Sequence, residues 1–167
     1  MIKGGLRLAA IMLLACMIAA CAGGISRQAL SQVTYSGPFS RLQQNPGQFQ
    51  GATVLLGGRI IQTRPARTGS DIVVLQLALD GSDRPQGEDQ SQGRFIVTAP
   101  RFLDPALYAQ GTLITVVGKV VGSRTEPIGQ MPYRYPLLEL IEIKTWPAQT
   151  QPAYPRFHFG IGVGTTF

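Results

Sequence analysis

The sequence predicts an all-β domain: a small barrel of the OB type, with five to six strands and one short helix between the third and fourth. Three observations carry this. Apolar residues alternate in five separate stretches, at residues 53–61, 71–79, 95–99, 112–121 and 137–146. All 12 prolines fall after residue 37 and, with the glycines, cut the chain too often for long helices. A compact helix signature, Asp104-Pro105 closing at Gly111, sits between the third and fourth stretches. A β-sandwich is the alternative, because alternation does not show whether a sheet closes on itself.

The first strand places Val54, Leu56 and Ile60 on one face and Arg59 on the other. Gly57-Gly58 reads as a bulge or bend, and Arg64-Pro65 as a stop. The second strand puts Val73, Leu75, Leu77 and Leu79 on one face and ends at Asp80-Gly81. Phe95, Val97 and Ala99 alternate in the third, which Pro100 ends. Asp104 then stands where a carboxylate caps the free N–H groups of a first helical turn. Ile114, Val116 and Val120 share a face of the fourth strand. In the fifth the alternation slips between Leu140 and Ile141, the mark of a bulge. Ahead of the strands, Phe39, Leu42 and Phe49 flank Asn45-Pro46-Gly47, a helical turn and loop lying on the core.

The N-terminus has a different character. Lys3 and Arg7 precede an apolar run at residues 8–18, which is shorter than the roughly 20 residues a membrane-spanning helix needs. The run ends Ile18-Ala19-Ala20-Cys21, which resembles the lipobox at which bacterial lipoprotein precursors are acylated and cut before the cysteine. Cys21 is the expected lipidation site, with palmitate-type acyl chains holding the protein on the membrane. Two alternatives are an ordinary secretory signal and a box ending at Cys16, which leaves an apolar mature start. Ala22 follows Cys21 where an aspartate retains enterobacterial lipoproteins in the inner membrane, so an outer-membrane destination is expected, on its periplasmic face. The chain then divides into a signal peptide (1–20), a polar tether (21–36), the barrel domain (37–147) and a tail rich in Pro, Gly and aromatic residues (148–167). Cys16 leaves with the signal and Cys21 is acylated, so no internal disulfide is expected.

Composition and motifs exclude several chemistries. Two cysteines and one histidine cannot make a Cys/His zinc site. The histidine, His158, lies in the tail, where nothing positions it as a catalytic base. No nucleophile elbow or P-loop occurs, and Gly160, Gly162 and Gly164 lack dinucleotide spacing. The nine acids are scattered, with Asp80 and Asp83 at a turn and Glu88-Asp89 in a polar loop. No enzyme activity and no cofactor beyond the covalent lipid are expected. Fifteen basic residues against nine acids give +6, and removing the signal takes away Lys3 and Arg7. The remaining field is weak and unclustered, so nucleic acid is not an expected partner. Phe157, Phe159, Ile161, Val163 and Phe167 alternate like an outer-membrane strand, but one strand is not a barrel, and an added strand or a sticky tail fits better.

The middle of the chain resembles the Slp family of starvation-associated outer-membrane lipoproteins. The resemblance rests on Gly57-Gly58-Arg59-Ile60, Leu79-Asp80-Gly81 with Arg84-Pro85, Gly93-Arg94-Phe95-Ile96, and Phe102-Leu103-Asp104-Pro105 with Tyr108 and Gly111. It continues through Thr115-Val116-Val117-Gly118, Ile128-Gly129, Tyr133-Arg134-Tyr135-Pro136 and Trp146. Leu56 stands where the family often has tryptophan. The resemblance implies an outer-membrane lipoprotein of envelope maintenance or stress, and supplies no catalytic residue. Lipid apart, the expected partners are envelope proteins or anionic glycans. In an OB barrel the loop between the fourth and fifth strands borders the binding face. Here that loop is residues 122–136, with Arg124, Tyr133, Arg134 and Tyr135 as candidate contacts; packing of the tyrosines on the barrel rim is the competing reading. A small glycan or lipid fragment held on the barrel face is the alternative function, and a cleft there would favour it.

Overall fold

The computed structural model describes residues 24–87 and 90–147. Its strands are β1 (Thr53–Ala66), β2 (Gly69–Leu79), β3 (Pro85–Gln86), β4 (Arg94–Ala99), β5 (Leu113–Ile128) and β6 (Met131–Trp146). The sheet order is β1-β5-β6-β4-β2-β3, and β1 also pairs with β2. The five long strands therefore close in a ring, and the short β3 extends from β2. Every pairing is antiparallel except that of β4 with β6, a parallel seam at Ile96–Leu137, Val97–Leu138 and Thr98–Glu139. Among the long strands this is the OB connectivity, with third and fifth side by side. Ring closure removes the sandwich alternative.

The interior is filled. Val54, Ile60, Ile72, Val74, Phe95, Val97, Ile114, Val116, Val120 and Leu138 are buried together, and α2 (Phe39–Gln44) adds Phe39 and Leu42. The predicted inward faces of the first, third and fourth strands hold. The second strand turns the other way: Ile72 and Val74 face the core, while Val73 belongs to a separate buried cluster with Ile96 and Tyr135. A strand covered on both faces loses the alternation that would orient it.

Other boundaries shift for identifiable reasons. β1 runs through Pro65, which lies beyond Arg59, the last β1 residue paired with β5. On that edge no ladder bond is asked of the proline nitrogen. The β1 bulge falls at Ile61 rather than at the glycine pair. Gly58 serves close approach instead, since a Cβ there would stand 2.3 Å from the Leu75 carbonyl oxygen. The bulge at Ile141 is present, where β6 skips a residue opposite Val117 and Gly118. Between β4 and β5 the expected helix is a single turn, in which Tyr108 N–H donates to the Asp104 carbonyl at 2.9 Å.

The segment read from composition as a tether docks on the barrel from Ile25 onward. Ser26 caps α1 (Arg27–Leu30), and Ile25 and Ala29 bury themselves against Val117, with Leu55 and Val33 alongside. Thr34 and Tyr35 N–H then donate to the Thr53 carbonyl. Four apolar residues among polar ones were too short a pattern to distinguish docking from spacing.

Candidate binding face and its strap

The stretch expected as a binding loop is a hairpin arm. β5 and β6 remain paired far beyond the barrel, from Gly122 opposite Leu137 out to Ile128 opposite Met131. The prolines suggested a loop, but register explains why they are tolerated. Pro127 faces Pro132, which is possible only where a pair exchanges no N–H···O bonds, and Pro136 lies four residues along in the same class of pair. The tip is the two-residue turn Gly129-Gln130, with φ +61° at Gly129, the first central position, as in a type II′ hairpin turn.

A register shift between Val120 and Gly122 marks the start of the arm, and the arm folds over the outer wall of the barrel. Its inner side carries Arg124, Glu126, Ile128, Tyr133 and Tyr135. The wall presents Arg64 from β1, Asp71 and Val73 from β2, and Ile96 and Thr98 from β4. The apolar half of the contact is Tyr135 with Val73 and Ile96, flanked by Ile61, Ile128, Tyr133 and Leu137. The tyrosine rings meet edge to face at 4.7 Å, and Tyr133 Oη accepts the Arg94 N–H at 2.8 Å.

The polar half is a chain of charges. Arg124 Nη1 lies 2.5 Å from Asp71 Oδ2 and 3.5 Å from Glu126 Oε1. Arg64 Nη1 lies 2.5 Å from Glu126 Oε2, and Arg64 Nε donates to Gln62 Oε1 at 2.8 Å. Thr98 Oγ1 donates to Asp71 Oδ1 at 2.9 Å. The hydrogen bond to Asp71 pushes the Arg124 guanidinium further above its usual range. The hydrogen bond from Arg64 holds the Glu126 carboxyl below its usual range, with Arg124 adding to it. Beside this chain opens a cleft of about 400 Å³, lined by Thr68, Ser70, Asp71, Thr98, Arg124 and Glu139 with Ala66, Gly69, Ala99 and Pro100. It lies between the β1–β2 turn, the β2–β4 wall and the arm, the region that binds ligands in OB folds.

The four candidate contacts thus separate. Arg124, Tyr133 and Tyr135 face the wall, with Tyr135 only 3% exposed, while Arg134 is exposed on the arm's outer side. Asp104 is not among the residues lining the cleft, and its Oδ1 accepts the Ala106 N–H at 2.9 Å in the turn before β5. Asp71, Glu126 and Arg64 were missed in the sequence. Arg124-x-Glu126 has the spacing of one strand face and was the available signal. His158 and the tail alternation lie outside the described residues, as do Cys21 and Glu88-Asp89. Among the described residues no group of three or more His, Cys, Asp or Glu could hold a metal ion, and no helix is long and apolar enough to cross a membrane.

A second constellation lies on the barrel away from the arm. Asp80 Oδ1 accepts from Arg84 N–H, Ser82 Oγ–H and Ser82 N–H, and Oδ2 from Gln86 Nε2, which together hold its carboxyl at about 2. The turn so fixed delivers the Asp83 carbonyl to Thr115 Oγ1, which in turn accepts Trp146 Nε1–H at 2.9 Å. Arg84 and Lys144 lie over the Trp146 ring at 5.4 and 4.2 Å from its centroid.

Fold and face together define a small OB-type barrel whose outer wall, at the position OB folds use for ligands, is overlaid by its own hairpin. The family described as "Outer membrane lipoprotein Slp family" matches residues 18–161, and the chain belongs to it; it is an outer-membrane lipoprotein. It is 27% identical over 128 residues to the "Uncharacterized lipoprotein YeaY" of Escherichia coli K12, covering 73% of this chain and 66% of that protein. It is 36% identical over 104 residues to an uncharacterized protein of Haemophilus influenzae, covering 62% and 56%. It is 27% identical over 108 residues to the "Outer membrane protein Slp" of Escherichia coli K12, covering 65% and 57%. The match therefore spans less than two thirds of the length of each of these relatives. No solved structure matches the chain.

Proposed function

We propose that the protein is a non-enzymatic interaction module of the cell envelope, lipidated at Cys21 after removal of residues 1–20 and acting in envelope maintenance or stress response. One observation carries the non-enzymatic part. Between arm and wall, Arg64, Asp71, Arg124 and Glu126 are engaged with one another at 2.5–3.5 Å, so each already has an ionic partner, and we read none of them as a poised acid, base or nucleophile. The proposal needs no cofactor beyond the acyl chains and no nucleic-acid partner. Its test is cross-linking in intact cells followed by mass spectrometry, with Cys21→Ala as the comparison. Recurrent envelope partners that vanish with the anchor are the expected result. Hydrolysis of envelope glycans or peptides by the purified protein, lost in Asp71→Asn, would overturn it.

The cleft favours a second reading, capture of a small glycan. Thr68 offers a hydroxyl and Glu139 a carboxylate, while Ser70, Asp71 and Thr98 line the cleft with groups that already bond Leu103, Arg124 and each other. Arg124 is already engaged by Asp71, so this lining suits a neutral, hydroxyl-rich glycan better than the anionic one expected from the sequence. Titration with neutral and anionic oligosaccharides, read from the amide resonances of Thr68 and Thr98, separates the two.

A further inference from the structure

We propose that the outer stripe of β6 beside α1 is a lipid-contact face that holds the barrel against the phospholipid headgroups. This rests on the lipidation of Cys21.

The first argument is length. Ile25 is 6% exposed and fixed against the barrel, only four residues beyond Cys21. At ~3.5 Å per residue those four residues reach about 14 Å. A barrel anchored this closely cannot stand far from the bilayer, and the side that carries α1 must face it.

The second argument is what else occupies that side. Ser26 N–H donates to Glu142 Oε1 at 2.8 Å and Ser26 Oγ lies 2.5 Å from Oε2, so the start of the docked segment is clamped to β6. Two and four residues further along the same face of β6 stand Lys144 and Trp146. Trp146 is therefore ~13 Å from the clamp along the strand. Its ring is half-buried and lies under two cations, Lys144 and Arg84, while Arg27 is exposed on α1. Glu142, the acid of this stripe, is occupied by Ser26, and Asp80 is turned into its own turn. A tryptophan flanked by cations is the side-chain set that settles at the headgroup level of a membrane, ring toward the acyl boundary and charges toward phosphate.

Trp146 is the chain's one tryptophan, so its fluorescence reports this face alone. The lipidated protein is reconstituted into vesicles of phosphatidylethanolamine and phosphatidylglycerol, with bromine placed either near the headgroup or at the acyl-chain end. Strong quenching by the headgroup-proximal bromine, and much less by the distal one, is expected. Lys144→Glu combined with Arg84→Glu should reduce the quenching while the protein still sediments with the vesicles and keeps its β-sheet circular dichroism. Sedimentation with the vesicles but no quenching at either depth overturns the contact face and leaves the anchor intact. Absence of acyl chains by mass overturns the anchor instead. In that case Cys21 of a chain beginning at that residue is coupled to a maleimide lipid, and the same quenching decides the face.

Discussion

Arg124 Nη1 stands 2.5 Å from Asp71 Oδ2, joining the arm to the barrel wall across 53 residues of chain. The contact changes the meaning of a residue type that sequence reading assigned to a partner. A guanidinium already paired with a carboxylate fixes register before it recruits anything. Both side chains keep some exposure, 38% and 21%, so the pair is screened by solvent. In a double-mutant cycle Arg124→Ala and Asp71→Ala should show a coupling of about 0.5–1 kcal/mol, measured by urea unfolding. A coupling of zero would leave the arm held by its apolar contacts alone.

The charge chain has a defined pH dependence. The hydrogen bond from Arg64 lowers the Glu126 carboxyl below its ordinary 4.5, and Arg124 adds to the shift. A carboxylate that binds its proton more weakly folded than unfolded adds stability above the unfolded value and loses it as pH falls through the folded one. Arm docking should therefore be constant above pH 4.5 and weaken on further acidification. The Asp80 turn should persist further, toward about 2. Amide chemical shifts of residues 122–128 and 80–86 across an acid titration would follow the two separately. Glu126→Gln should flatten the first profile and leave the second unchanged.

Gly58 tests the close approach of β1 and β2. A Cβ there meets the Leu75 carbonyl oxygen at 2.3 Å and Val74 Cγ1 at 2.4 Å, and a backbone oxygen in a ladder cannot step aside. Gly58→Ala should cost about 1–3 kcal/mol, the usual range for overpacking. Gly47→Ala is the control, because nothing lies within 4 Å of a Cβ at that position. Thermal unfolding of both variants reads the difference.

What the sequence disclosed and what it hid follow from the same physics. Phe95, Val97 and Ala99 face a filled interior on one side, so their alternation located a strand and its face. Val73 and Ile96 are also buried, but by the arm, and an apolar residue in a sequence does not say which of two layers covers it. The arm itself was obscured by Pro127, Pro132 and Pro136. These are loop signals unless the register leaves their nitrogens outside the ladder, and register is a property of two strands together. The bulge at Ile141 was legible because it breaks an alternation, whereas that at Ile61 adds an apolar residue beside Ile60 and looks like more strand. The ion pairs required knowing that Asp71 and Arg124 are neighbours, which only the fold supplies.

The two cysteines separate the lipobox readings. Cys21→Ala should abolish fatty-acid labelling and leave an uncleaved or wrongly cleaved precursor, while Cys16→Ala should change little. Metabolic labelling and membrane fractionation measure both. Labelling and outer-membrane sedimentation retained in the Cys21 variant would move the anchor elsewhere.

Tyr135 decides whether the arm's aromatics pack or wait for a partner. The side chain is 3% exposed and wedged between Val73 and Ile96, and its neighbour Tyr133 accepts the Arg94 N–H. Tyr135→Ala should cost about 3–5 kcal/mol, as truncation of a buried aromatic does, because it opens the apolar half of the contact that holds the arm down. Tyr133→Phe keeps the ring but leaves the Arg94 N–H without its acceptor, and should cost about 1 kcal/mol. Arg134→Ala, on the exposed side, should leave stability within about 0.5 kcal/mol. Urea unfolding of the three variants gives the ranking. If Tyr135→Ala unfolds at the parent's midpoint, the ring is not packing the arm onto the wall, and its place on a binding surface becomes the better account.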